Sequence, residues 1–221
     1  LCYNSPSMKG FYKTRVYIVR HGETDWNAEL RVMGQVDIPL NERGRAQARR
    51  TAELLSQEHF DAIYSSDLVR AVETAQIIAA PHALDVLTIP ELREAYYGLW
   101  EGLTRDEVLK KFPEEYAMRT LDPANFRPSG GESRKELYTR AARIFSELVA
   151  RHPDQQILIV SHGGTIRAIL RYALGLGPGD GHFAVDNCGV TIIDREEDGS
   201  YEIFTVNSVF HLRELRTEDF F

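Results

Sequence analysis

The chain has 221 residues, which suits one sizeable domain better than two. Apolar residues make up 43% of it and charged residues 27%, a composition that is typical of folded globular proteins and excludes disorder over most of the length. The formal net charge of −7 at pH 7 argues against a nucleic-acid partner, although a local group of arginines and histidines can still capture a small anion.

The cysteines and the first residues bear on where the protein works. Cys2 lies at the start of the chain and Cys188 far from it, so we expect no structural disulfide between them and a reducing, cytoplasmic location. Cys188 is interpreted as a small buried apolar residue, and no cysteine–histidine spacing of metal-site type occurs. No segment approaches the ~20 apolar residues of a membrane span, and the start lacks the apolar run of a secretory signal. We therefore expect no membrane partner, a tail over residues 1–12 with Met8 as an alternative natural start, and one domain over residues 13–221.

In the first half of the chain, short apolar runs alternate with helical patterns. Asn41 is the predicted N-cap of a helix whose apolar face includes Leu54, and Asp67 is expected to cap the next helix, which Pro81 stops. The predicted elements are a strand over 16–19, a helix over 41–57, a strand over 60–64, a helix from 67 to 80 and a strand over 86–89.

The second half continues this alternation and ends in a hairpin. Irregular segments over 91–103, 122–131 and 175–181 separate the elements. The predicted elements are helices over 104–111 and 114–121, an amphipathic helix over 133–151, a strand over 157–160, a helix ending at 174 and paired strands over 190–194 and 201–206. Strands that alternate with helices predict a three-layer α/β/α sandwich with a mainly parallel central sheet.

Two of the predicted strands end in a histidine followed by a glycine. His21 follows the first strand, and His162 follows the strand over 157–160. Ligands bind beyond the carboxyl ends of parallel strands, so both imidazoles enter one crevice if both strands are central. A single histidine at a strand end is more often a structural hydrogen-bonding group, and the case for a site depends on its neighbours.

The neighbours of both histidines suit an anionic ligand. Arg20 offers forked donors that match phosphate oxygens, and Gly22 permits close approach of the backbone to a ligand. If the turn after Gly22 has free backbone amides, they would add to an anion-binding nest. Gly163 and Gly164 open a helix whose first amides favour an anion, although a glycine pair can also serve close packing.

Arg70 and Glu94 belong to elements that start at the same edge of the predicted sheet. An arginine on a helix is usually solvated, and a carboxylate in a loop usually is too. Close to two histidines and Arg20, however, Arg70 would bind phosphate, and Glu94 would deliver the proton that a leaving oxygen needs.

At this point the sequence resembles the histidine phosphatase superfamily, which is also called the phosphoglycerate-mutase-like family. The resemblance extends from about Thr14 to Leu212 and depends on several separated motifs in order. These are Val19-Arg20-His21-Gly22-Glu23-Thr24 with Trp26-Asn27, Tyr64-Ser65-Ser66-Asp67-Leu68 with Arg70-Ala71 and Glu73-Thr74-Ala75, Leu92-Arg93-Glu94 with Gly98-Leu99-Trp100-Glu101-Gly102, Gly130-Gly131-Glu132-Ser133, and Val160-Ser161-His162-Gly163-Gly164.

The resemblance implies a role for each matching residue. His21 would attack phosphorus and form a phosphohistidine, while Glu94 would protonate the leaving alcohol and then activate water. His162, Arg20 and Arg70 would hold the phosphoryl oxygens. The remaining expected substrate-binding residues are Asn27, Gly22, Gly34, Gln35 and Gly163. The resemblance implies no metal and no cofactor.

The family includes phosphatases and cofactor-dependent phosphoglycerate mutases. The mutases resemble one another in an insertion with adjacent arginines for the substrate carboxylate, whereas here residues 96–131 are compact and contain Arg119 and Arg127 as isolated residues. We therefore favour a phosphatase over a mutase, and over the acid-phosphatase and phytase branch, whose pattern after each histidine differs. A catalytically dead module that binds phosphorylated ligands would be expected to lose His21, His162 or Glu94.

The partner is expected to be a small phosphorylated metabolite, and the protein a monomer or homodimer. Residues proposed to line the leaving-group pocket are Met33, Gln35, Tyr96, Tyr97, Trp100 and the loop 175–187, although Trp100 and the tyrosines can also simply pack. Members of this size include broad-specificity phosphatases, α-ribazole phosphatases and phosphatases for phosphoglycerate-type or phosphoserine substrates, and the sequence does not choose among them.

Overall fold

A computed structural model describes residues 14–216 of the chain, and within this range the strands form one six-stranded sheet. The predictions for Cys2, Met8 and the tail over 1–12 lie outside the described residues. The strands are β1 (Thr14–Arg20), β2 (Ala62–Ser65), β3 (Val86–Thr88), β4 (Gln155–Ser161), β5 (Val190–Arg195) and β6 (Tyr201–Ser208). Their order is β3-β2-β4-β1-β5-β6.

The first four strands are parallel, and the last two form the predicted antiparallel hairpin. β5 also runs antiparallel to β1. The predicted mainly parallel sheet is therefore confirmed. Its two central strands, β1 and β4, are apolar on both faces, as expected for strands that helices cover on both sides.

Alternate residues of the central strands feed two separate cores. Val16 and Ile18 pack in one core with residues of the C-terminal half of the chain, including Phe145. Tyr17 and Val19 point the other way, into a second core that includes Ala75. Because a strand sends successive side chains to opposite faces, this alternation produces the predicted three layers.

Seven α-helices surround the sheet within residues 14–216. They are α1 (Asp25–Ala28), α2 (Glu42–Leu55), α3 (Val69–Ala79), α4 (Arg105–Lys111), α5 (Pro113–Leu121), α6 (Arg134–Arg151) and α7 (Gly163–Ala173). Asn41 caps α2 as predicted, since its side chain accepts a hydrogen bond from Gly44 N at 2.8 Å. Ser133 caps α6, and it exchanges reciprocal hydrogen bonds with Glu136. The helix therefore begins at Arg134, one residue later than predicted.

Two local predictions are wrong. Asp67 does not cap α3, because its carboxylate receives two hydrogen bonds from Arg93, each 2.6 Å long. The first turn of α3 is capped instead by Asp37, which accepts a hydrogen bond from Val69 N at 2.7 Å. Leu54 is 47% exposed and does not lie on the buried face of α2. That face consists of Gly44, Gln47, Ala48, Thr51 and Leu55, which recur at the three- and four-residue spacing of one helix face.

The parallel strands end at one edge of the sheet, where the candidate residues gather. Arg20 at the end of β1 is paired in register with Ser161 at the end of β4. The residues that follow the two strands, His21 and His162, are consequently neighbours. Cys188 is a fully buried free thiol, as predicted, and burial raises its pKa to about 12. No helix among residues 14–216 is both long and apolar enough to cross a membrane.

Candidate active site

His21 and His162 lie side by side at the carboxyl ends of the two central strands. Their ring centroids are 5.0 Å apart, and the two residues are 3% and 0% exposed. The condition that both strands be central and parallel is met, and the two imidazoles lie beside each other at one edge of the sheet.

The backbone selects the tautomer of His21. Its Nδ1 lies 2.7 Å from the carbonyl oxygen of Gly22, and because that oxygen can only accept, Nδ1 carries the proton. Burial lowers the pKa of His21 well below its usual range, and the charges of Arg70 and Arg20 lower it further. The ring is therefore neutral at neutral pH, with its lone pair on Nε2.

His162 is buried without hydrogen-bond partners for its ring. Neither ring nitrogen has a partner among the described residues. Burial lowers the pKa of His162 well below its usual range, and the charges of Arg70 and Arg20 lower it further. Because buried polar atoms almost always have partners in folded proteins, these nitrogens mark a place where a ligand with polar oxygens would be accepted.

Two arginines bring fixed positive charge to the histidines. Arg70 is fully buried, and it donates to Gly34 O at 2.7 Å and to Val36 O at 2.8 Å, while its Nε has no partner in the described part of the chain. Burial lowers its pKa to about 10, so it stays charged at neutral pH. Arg20 is 6% exposed and donates to Val185 O at 2.7 Å. Backbone carbonyls thus hold both guanidinium groups in place.

Glu94 is held by two backbone amides. Ala95 N donates to one carboxylate oxygen and Gly164 N to the other, both at 2.8 Å. A β-carbon at Gly164 would overlap the Glu94 carboxylate, so this glycine serves close packing of α7 against the acid. Gln35 donates to the Glu94 carbonyl oxygen at 3.0 Å and supports the same segment from outside.

The turn after His21 does not form the anion-binding nest that free amides would have made. Gly22 N donates to Thr74 Oγ1 at 3.0 Å, and Glu23 N donates to Gln47 Oε1 at 2.8 Å. The structure requires glycine at position 22 for packing rather than for the approach of a ligand. A β-carbon there would lie 2.5 Å from the carbonyl oxygen of Gly44. Its role is the close contact between this turn and α2.

Asn27 and Gly34 are two further predicted site residues that lie at the candidate site. The Oδ1 of Asn27 accepts a hydrogen bond from Thr24 N at 3.1 Å, and Asn27 lines the cavity. Gly34 adopts φ +56°, and a side chain there would overlap the carboxylate of Glu101. Its carbonyl oxygen is one of the two acceptors that hold Arg70.

A cavity of about 510 Å³ opens above these residues. Seven of the ten predicted site residues line it, namely Arg20, His21, Asn27, Gly34, Arg70, Glu94 and Gly163, whereas Gly22, Gln35 and His162 do not. Of the predicted leaving-group residues, Met33, Tyr97, Trp100 and part of the loop 175–187 line the cavity. Tyr96 does not, and it is 44% exposed.

Besides Arg31 and Arg105, four further arginines that the sequence analysis did not assign to the site line the cavity. They are Arg119 on α5, Arg134 at the start of α6, and Arg167 and Arg171 on α7. One signal was available in the sequence, because Gly163, Arg167 and Arg171 are spaced four residues apart and so share one helix face. The other two arrive from segments whose positions only the fold determines.

The comparisons with known proteins agree with this geometry. The model of the histidine phosphatase superfamily (branch 1) matches residues 16–208. Phosphoserine phosphatase 1 of Hydrogenobacter thermophilus is 35% identical over 92% of this chain and 97% of its own length. The 2,3-bisphosphoglycerate-dependent phosphoglycerate mutase 2 of Gloeobacter violaceus is 35% identical over 83% of this chain and 87% of its own.

A solved structure has the same fold. The structure of Bacillus stearothermophilus YhfR superposes with a TM-score of 0.83 at 31% identity, covering 90% of this chain and 99% of that one. The strand-end histidines, the fold and the sequence match all lead to the same assignment. The chain belongs to the histidine phosphatase superfamily, branch 1.

Proposed function

We propose that this protein is a metal-independent phosphatase that hydrolyses small phosphate monoesters through a phosphohistidine on His21. The observation that carries the proposal is the state of His21, a neutral imidazole with a free Nε2 lone pair beside two buried arginines. A nucleophile must be unprotonated, and burial keeps His21 so, together with the charges of the arginines that would attract the phosphate.

In the first step, Nε2 of His21 attacks phosphorus, and the bond between phosphorus and the ester oxygen breaks. The leaving oxygen takes a proton from the Glu94 carboxyl group. In the second step, the Glu94 carboxylate accepts a proton from water, which attacks the phosphohistidine and breaks the phosphorus–nitrogen bond. Inorganic phosphate and the starting enzyme result.

The remaining site residues would stabilise the charge of the transferring group. Arg20 and Arg70 present guanidinium groups that suit the phosphoryl oxygens, and Asn27, which lines the same cavity, would add a side-chain NH2 donor. The unpartnered ring nitrogens of His162 supply a further polar contact. Because backbone carbonyls already hold the arginines, little reorganisation is needed at the moment of reaction.

A phosphoglycerate mutase is the second candidate. The additional arginines of the cavity favour it, since a mutase must retain its intermediate long enough to return the phosphoryl group. A mutase is also among the relatives at 35% identity. The two functions share the phosphohistidine step. They differ in whether water or the bound phosphoglycerate accepts the phosphoryl group from His21.

The test of the proposed function is phosphate release by the purified protein from p-nitrophenyl phosphate. His21→Ala is expected to lower kcat by about 10³-fold or more, since the nucleophile is lost. An acid-labile, base-stable phosphoenzyme should form in the wild type and be absent from this variant. His59→Ala, which changes an exposed histidine paired with Asp61, is the matched control and should behave as wild type. Near-wild-type turnover by His21→Ala would rule out the proposed nucleophile.

A further inference from the structure

The cavity has a second cationic region beyond the phosphoryl pocket, formed by Arg119, Arg134, Arg167 and Arg171. We call these four residues the outer arginine cluster. They come from α5, α6 and α7, and all four line the same cavity as His21. Arg171 is 8% exposed, so this is not a solvated surface patch.

No member of the outer arginine cluster forms a salt bridge with any described residue. The described salt bridges include eleven other arginines, and exposed examples such as Arg143 with Glu147 are among them. The carboxylates that line the cavity are also engaged elsewhere: Glu132 binds Arg140, and Glu94 binds backbone amides. No salt bridge among the described residues therefore balances the positive charge of the cluster, although the charge of Asp180 raises the pKa of Arg171.

Backbone carbonyls orient two of the four guanidinium groups. Arg167 Nε donates to Phe183 O at 3.0 Å, and Arg171 donates to Gly181 O at 3.1 Å. A guanidinium group has five donor hydrogens, so each keeps donors for another partner. The arrangement fixes the direction of these side chains without neutralising them.

The charges within the cluster act on one another. Burial lowers the pKa of Arg134, and the charges of Arg119 and Arg167 lower it further. Burial likewise lowers the pKa of Arg171, with Arg134 and Arg167 acting in the same direction. Like charges held together out of water are unfavourable, and a bound anion would relieve this repulsion.

The cluster begins next to the phosphoryl pocket. A β-carbon at Gly163 would lie 3.2 Å from a guanidinium nitrogen of Arg167 and 3.7 Å from the guanidinium carbon of Arg20. Both guanidinium groups therefore approach the same point beside Gly163. A ligand with two anionic groups only a few bonds apart can reach both.

Resting on the proposed phosphatase function, we infer that the outer arginine cluster binds a second anionic group, a carboxylate or a second phosphate, on the leaving alcohol. The preferred substrates are then short phosphorylated acids, in which the phosphoryl group reaches His21 while the second anion meets Arg167 and its neighbours. Arginine forks bind both kinds of anion with paired hydrogen bonds.

The first experiment compares substrates that differ only in the second anion. Phosphoserine is compared with phosphoethanolamine, which lacks the carboxylate, and 3-phosphoglycerate with glycerol 3-phosphate. Fructose 1,6-bisphosphate compared with fructose 6-phosphate is the arm for a second phosphate. In at least one of these pairs, which we call the preferred pair, we expect kcat/KM to be about tenfold or more higher for the member that carries the second anion.

The second experiment changes the cluster. Arg134→Gln should lower, by about tenfold, the ratio of kcat/KM for the doubly anionic member of the preferred pair to kcat/KM for the other member. Arg134→Lys keeps the charge but loses the paired guanidinium donors, so it should lower this ratio less. Arg134 is the first residue of α6 and makes no side-chain hydrogen bond within residues 14–216, so its substitution is compatible with folding. Arg143→Gln on the same helix, which is exposed and paired with Glu147, is the matched control and should leave the ratio unchanged.

The outcomes separate the two proposals. A wild type that releases no phosphate from p-nitrophenyl phosphate or from any member of the pairs would overturn the proposed function. A wild type that releases phosphate but treats both members of every pair alike would overturn only the anion-binding role of the cluster. An Arg134→Gln variant that keeps the wild-type ratio would also overturn that role.

Discussion

Gly164 N donates a hydrogen bond to one carboxylate oxygen of Glu94 at 2.8 Å, and a β-carbon on the same glycine would overlap the other oxygen. The start of α7 is thus fitted around the acid. In the proposed mechanism, this contact makes Gly164 a positioning residue for proton transfer by Glu94, although it carries no reactive group. It also links the position of the acid to the strand end that carries His162.

Gly164→Ala is expected to lower kcat for alkyl phosphates by about 10- to 100-fold, because general-acid catalysis depends on the placement of the carboxyl group. The loss should be smaller for p-nitrophenyl phosphate, whose leaving group needs less protonation. Steady-state kinetics with both kinds of ester measures the difference. Gly179→Ala is the matched control, since a β-carbon there would make only ordinary contacts of 3.6 Å. An equal loss with both esters would contradict a role in acid placement.

The two buried histidines should make folding stability depend on pH. The pKa values of His21 and His162 are lowered in the folded protein below the ordinary 6.5, so below pH 6.5 the unfolded chain binds protons that the folded one does not. The free energy of unfolding should therefore fall as pH decreases from 6.5, by up to about 1.4 kcal/mol per pH unit for each histidine.

Urea unfolding at several pH values in phosphate-free buffer measures this dependence. His162→Gln should have a shallower slope below pH 6.5, because one of the two groups is removed. His82 and His211 also have lowered pKa values, and the comparison with wild type cancels their contribution. A slope equal to that of the wild type would contradict the lowered pKa of His162.

Removal of divalent metal ions is expected to leave activity intact. Within residues 14–216, no three His, Cys, Asp or Glu side chains lie together as a metal site requires, and Arg20 and Arg70 supply the positive charge beside the nucleophile. Phosphate release should change by less than about twofold after dialysis against a chelator. A loss that added Mg²⁺ or Mn²⁺ restores would contradict metal-independent hydrolysis.

Phosphate release should exceed isomerisation when the protein receives 3-phosphoglycerate with the 2,3-bisphosphate as primer. The segment from Tyr96 to Gly131 is compact and forms the short helices α4 and α5, without the adjacent arginine pair of the mutases. Separate assays of inorganic phosphate and of 2-phosphoglycerate measure the two products. A predominance of 2-phosphoglycerate would favour the mutase and would contradict the proposed hydrolysis.

Much of the fold was predictable because it depends on neighbours in the chain. The caps at Asn41 and Ser133 depend on residues within four positions, and the strand runs that end at His21 and His162 depend on local apolar patterning. The parallel sheet placed both histidines at one edge, since parallel strands end at the same edge, and the adjacency of β1 and β4 in the structure made them neighbours. The sequence by itself thus determined the layers of the fold and the centre of the site.

Only the tertiary structure decided which distant groups share a hydrogen bond or a cavity. Asp37, rather than Asp67, caps α3, because a remote loop reaches the first turn of that helix. The amides after His21 bind Thr74 and Gln47 rather than a ligand, because α2 and α3 pack against that turn. Arg119 is isolated in its own segment, yet α5 brings it to a cavity with the other three arginines of its cluster. Packing between distant segments sets these distances, and the hydrophobic periodicity within one segment does not predict them.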